Sequence, residues 1–136
     1  MATFANVMVA EVELVIPHRT PEFTKSALKY AEALGVEDIR VRLVDIHVVP
    51  YGASLDCPMI QQKQLERRLK RLARETDLEA SAEVVYARNW EQGLRRVLTS
   101  VSTVLLPIRR SSWRTSEKRL AARLRKTGHI VIWIDV

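Results

Sequence analysis

The sequence predicts a doubly wound α/β fold. Three observations carry this: five short apolar runs rich in β-branched residues, an amphipathic stretch between each consecutive pair, and helix-start and helix-stop residues at the joins. Strands that alternate with single helices assemble into a parallel sheet, because each right-handed crossover lays its helix against a sheet face.

The first run, Val12-Glu13-Leu14-Val15-Ile16, stops at Pro17 and reads as a buried strand. Thr20 is placed to cap a helix with Pro21 at its first position, and Phe23, Ala27, Tyr30, Ala31 and Leu34 share a face before Gly35. From Ile39 to Val49 apolar residues alternate with Arg40 and Arg42 and then become nearly continuous, as in a strand passing from the rim into a core. The loop 50–58 contains Gly52 and Ser54, and Asp56 is placed to cap a helix striped by Leu65, Leu69, Leu72 and Ala73. Leu78 to Ala87 is a weaker strand. Asn89 and Gln92 have capping-box spacing ahead of a helix whose apolar positions are Trp90, Leu94, Val97, Leu98 and Val101. Thr103 to Ile108 forms the fourth strand, and Thr115 or Ser116 opens a helix around Leu120 and Leu124 that Gly128 closes. His129 to Val136 is the fifth strand, apolar on both faces. The whole reads as an open five-stranded parallel sheet with helices on both faces, Rossmann-like.

At 136 residues, 47% hydrophobic and 28% charged, the chain suits one globular domain. Residues 1–10 are expected to be flexible or peripheral and 11–136 to form the domain. The opening segment is apolar without a basic leader and is far shorter than the roughly 20 residues a spanning helix needs, which disfavours secretion and membrane insertion. The single cysteine, Cys57, has no internal disulfide partner, and the expected location is the cytoplasm. Charge is uneven: residues 1–56 hold five basic and eight acidic side chains, whereas 57–136 hold 17 and eight.

That basic second half raises nucleic-acid binding as one reading. Its cations, Arg67, Arg68, Lys70, Arg71 and Arg74 in one helix and Arg114, Lys118, Arg119, Arg123, Arg125 and Lys126 in another, surround their helices rather than forming a stripe with exposed aromatics. Solvated helix faces are the preferred interpretation. Asp45 and His47 are two apart in a strand and share a face, where they can form a hydrogen-bonded pair. No nucleophile is assigned beside them, so the pair reads as structural. His18, His47 and His129 lie apart and offer no metal-ligand spacing. No metal, no cofactor and no catalytic residue are expected.

With its opening strand ending in proline, its five β-α repeats and Ile46-His47-Val48-Val49 ending the second strand, the chain resembles the universal stress protein family along nearly its whole length. The resemblance implies strand order 3-2-1-4-5. In ATP-binding members an aspartate shortly after the first-strand proline holds the adenine end, and the corresponding residue here is Arg19. Those members also carry, after the fourth strand, a glycine, two residues, a second glycine, nine residues, then glycine followed by serine or threonine. Glycines there let backbone amides approach phosphate. Pro107, Arg110, Leu120 and Ala121 take those positions, and no glycine lies between Gly93 and Gly128. The resemblance is therefore to a non-ATP-binding type.

Ligands of open parallel sheets gather where strand order reverses, here between strands one and four. His18, Arg19 and Thr20 would border that crevice on one side and Arg109, Arg110, Ser111 and Ser112 on the other, a set suited to a small anion. Solvated or ion-paired arginines are the competing reading. Universal stress proteins commonly dimerise through the last strand, which implies a homodimer with Ile130, Val131, Ile132, Trp133 and Ile134 near its interface. The expected function is a non-enzymatic regulatory or interaction domain of the stress response, with a protein partner or a small anionic ligand. Such domains also occur attached to membrane transporters. The alternatives are a nucleotide-binding stress protein with a nonstandard pocket, and nucleic-acid binding through the basic half.

Overall fold

The computed structural model describes residues 12–36, 38–49, 59–98, 102–108 and 115–135. Nine elements follow in order: β1 (Val12–Pro17), α1 (Pro21–Ala33), β2 (Ile39–Val48), α2 (Met59–Arg74), β3 (Glu79–Ala87), α3 (Trp90–Val97), β4 (Thr103–Ile108), α4 (Thr115–Lys126) and β5 (Ile130–Asp135). The strands form one parallel sheet in the order β3-β2-β1-β4-β5. The chain therefore reverses direction across the sheet between β1 and β4, and β5 lies at an edge.

Alternation along the strands splits the interior in two. Leu14 and Ile16 of β1 and Ile39, Val41 and Leu43 of β2 face one core, closed by Phe23, Ala27, Leu28 and Ala31 of α1 and Leu69 of α2. Val15, Val44, Ile46, Val104 and Leu106 face the other, closed by Leu94 of α3 and Leu120, Ala121 and Leu124 of α4. Burying each large side chain contributes about 1.5–3 kcal/mol. Gly93 lets α3 approach the sheet closely, since a Cβ there would meet Ile46 Cγ2 at 2.6 Å and the Ala87 Cβ at 3.1 Å.

Local signals act as their chemistry requires. Thr20 Oγ1 accepts from the Phe23 amide at 3.1 Å, and Asn89 Oδ1 accepts from Gln92 at 2.8 Å. Gly128, at φ 93°, ends α4: its amide reaches the Arg125 carbonyl and that of His129 reaches Leu124. Several boundaries differ from the sequence pattern. Leu34 follows the end of α1 and is 40% exposed rather than part of its apolar face. Helix α3 stops at Val97, because Leu98 is extended and the Val97 carbonyl accepts from Arg42 Nη1 at 2.7 Å instead of continuing the helix. Residues 1–11, the proposed cap Asp56, Cys57 and Val101 lie outside the described residues.

Candidate functional site

The carboxyl ends of β1 and β2 bring together the residues that carry chemistry. His18 follows Pro17 at the end of β1. Its amide donates to the Val44 carbonyl at 2.7 Å, and its Nδ1 lies 2.6 Å from Oγ1 of Thr24, which is wholly buried on α1. Burial pushes the His18 pKa below the usual histidine value; the Asp45 carboxylate opposes that shift and His47 adds to it. His47 Nε2 is 3.6 Å from Asp45 Oδ2, and its ring lies 5.9 Å from that of Tyr86. Asp45 and His47 thus share a face as their spacing requires, but as a contact longer than a hydrogen bond at a half-open rim, with side chains 17% and 36% exposed.

The three residues expected on one wall of the β1/β4 crevice have different partners. His18 turns toward α1. The Arg19 guanidinium stacks on Trp90 at the start of α3, 3.9 Å from the ring centroid. Thr20 spends its oxygen as a helix cap. Arg109, Arg110, Ser111 and Ser112 lie outside the described residues. Of the positions aligned with the glycine pattern, Pro107 is the β4 partner of Ile134, and Leu120 and Ala121 are buried in the core.

A cleft of about 460 Å³ opens between α1 and α2, floored by His18 and Asp45 and walled by Leu65 and Leu72. Lys25, Arg68 and Arg71 reach it, and none of the three makes an ion pair among the described residues. Sequence reasoning missed this cleft. Two facts locate it: Asp45 points to the same face as Leu43, and α2 turns Arg68 and Arg71 toward α1. Only sheet register and helix docking supply them.

At the amino end of the sheet a second polar cluster was also missed. Arg42 Nη1 donates to Glu13 Oε1 at 3.2 Å and to the Val97 carbonyl, while Nη2 pairs with Glu83. Burial disfavours its charge, but the hydrogen bonds it donates to Glu83 and Glu13, with their negative charge, outweigh that and raise its pKa. The visible signal was an acidic residue in each strand flanking the one that carries Arg42. On the far surface Glu91 of α3 pairs with Arg123 of α4 and with Arg95, and the Arg123 hydrogen bonds hold its pKa below the usual glutamate value.

At the edge strand, Ile130 is 55% exposed, whereas Val131 and Ile134 are buried in the chain's own cores and Ile132 and Trp133 are half-buried. Among the described residues β5 pairs only with β4. No described group of histidine, cysteine and carboxylate side chains is arranged to hold a metal ion, and no described helix is long and apolar enough to cross a membrane.

No protein-family model matches the chain, and no curated protein matches it significantly. Among solved structures, a universal stress protein from Archaeoglobus fulgidus superposes over 96% of this chain and 98% of its own, with a TM-score of 0.56 at 13% sequence identity. At that identity the likeness establishes the fold: this chain has the five-stranded, 3-2-1-4-5 architecture of a universal stress protein.

Proposed function

We propose that the chain is a non-enzymatic, universal-stress-protein-like regulatory or interaction domain that works without the ATP mode, pairing as a homodimer in the cytoplasm. One observation carries the reading. Where ATP-holding members place an acceptor for adenine, this chain places the cation of Arg19, held against Trp90. The side chains aligned with the phosphate-loop glycines support it: Pro107 has no amide hydrogen to give, and Leu120 and Ala121 are spent in the core. Stacking on an indole contributes roughly 0.5–1 kcal/mol at an exposed site, enough to favour one orientation of the arginine.

Dimerisation through β5 is supported by its edge, unshared among the described residues, and by the exposed Ile130, with the backbone rather than Val131 or Ile134 supplying the contact. The basic helices α2 and α4 cover opposite faces of the sheet, so their cations do not combine into one track for a nucleic-acid backbone. Calorimetry with ATP, ADP and AMP in the presence of magnesium tests the reading, with an ATP-binding family member as positive control. No heat of binding is expected; saturable nucleotide binding beside a working control overturns it. Light scattering at tens of micromolar is expected to give a dimer, and a monomer overturns that part.

A further inference from the structure

The cleft between α1 and α2 is a different place from the β1/β4 crevice, and its chemistry is unspent. Three cations reach it, Lys25 from α1 and Arg68 and Arg71 from α2, without an ion pair among the described residues. Elsewhere arginines find carboxylates: Arg42 has Glu13 and Glu83, and Arg123 has Glu91. At the floor, the Asp45 side chain is only 17% exposed, yet among the described residues it accepts no hydrogen bond, and His47 Nε2 stands off at 3.6 Å. His18 engages Thr24 through Nδ1 and also lines the cleft.

We propose that this cleft binds a small hydroxylated phosphate monoester. Each part of that ligand answers an unfilled valence. Two guanidinium forks and an ammonium suit a dianionic phosphate, which arginine recognises through paired N–H···O bonds. Asp45 accepts only, so it calls for hydroxyl donors on the same molecule. Leu65 and Leu72 offer apolar surface to the carbon skeleton. A volume of about 460 Å³ accommodates such a compound. The assignment is independent of whether the β1/β4 crevice binds nucleotide.

Calorimetry and amide-shift titration of the whole chain test it with glycerol 3-phosphate, glucose 6-phosphate, inorganic phosphate and glucose as probes. The two esters are expected to saturate below about 1 mM, with glucose silent and inorganic phosphate weaker by about tenfold. Arg68→Gln with Arg71→Gln is expected to lose about tenfold or more in ester affinity while keeping its melting temperature. Asp45→Asn is expected to reduce the esters toward the affinity of inorganic phosphate. Arg119→Gln, on the exposed surface of α4, is the control that changes nothing. No saturable ester binding, inorganic phosphate binding as tightly as the esters, or an arginine double variant that keeps full affinity would each overturn the proposal.

Discussion

Arg42 and Asp45 sit three residues apart in β2, point to opposite faces, and are equally sheltered, their side chains 18% and 17% exposed. Their surroundings differ completely. Arg42 spans the amino end of the sheet, joined to Glu13 of β1, Glu83 of β3 and the last carbonyl of α3, where a cation also meets the negative end of the helix dipole. Asp45 looks into an open cleft where, among the described residues, Lys25, Arg68 and Arg71 do not pair with it. Equal burial therefore separates a finished structural joint from a site with bonding capacity to spare, and the distinction rests on satisfied valences rather than on exposure.

The largest test of that contrast is at Arg42. Arg42→Met strands two carboxylates and the Val97 carbonyl, and is expected to cost about 2–3 kcal/mol in urea denaturation. Adding Glu83→Gln is expected to recover part of the loss by removing one stranded charge. Asp45→Asn, by contrast, is expected to move stability by less than about 0.5 kcal/mol. Equal costs at the two positions would erase the distinction between joint and site.

The two helical layers repeat the contrast on a larger scale. Helix α3 lies so close to the sheet that Gly93 has no room for a Cβ, whereas α1 and α2 leave a cleft between them. Gly93→Ala gains about 1 kcal/mol of helix propensity but must displace Ile46 and Ala87, and overpacking of that kind costs about 1–3 kcal/mol. A net loss of about 1 kcal/mol is expected from thermal and denaturant unfolding. A stabilised variant would show that the α3 layer yields as readily as the α1/α2 layer.

Most of the fold was legible because its signals are local. Thr20-Pro21, Asn89 and Gly128 mark helix ends through bonds that span only a few residues. The stripe from Leu65 to Ala73 identifies α2 by periodicity alone. Strand order required the family resemblance, since local pattern does not encode it. The polar clusters were not legible, because Arg42 meets partners 29, 41 and 55 residues away in the chain. Trp90 was read as a core position, yet its ring also carries Arg19 from the turn after β1. Val131, expected near an interface, packs its side chain in the chain's own core, since a strand apolar on both faces at an edge buries them against its own helices.

The smallest expected effect is the pH dependence seated at His18. Burial lowers its pKa, Asp45 partly restores it, and His47 lowers it again, while Thr24 faces the ring from α1 and Lys25, Arg68 and Arg71 reach the same cleft from α1 and α2. The unfolded chain then binds more protons at this position than the folded one as pH falls below the unperturbed value of 6.5. The associated stability is fully present above that value and is lost as pH falls toward the lowered folded-state pKa. Glu91 acts in the same direction but in a lower window, since a depressed glutamate loses its contribution only below its ordinary value of 4.5. Denaturation series from about pH 8 to pH 5 are therefore expected to show a decline in the natural chain that His18→Gln removes. Asp45→Asn is expected to steepen the same decline, because it deletes a carboxylate that favours the protonated ring. Identical slopes in all three proteins would mean that the carboxyl end of the sheet is as electrostatically settled as the Arg42 joint.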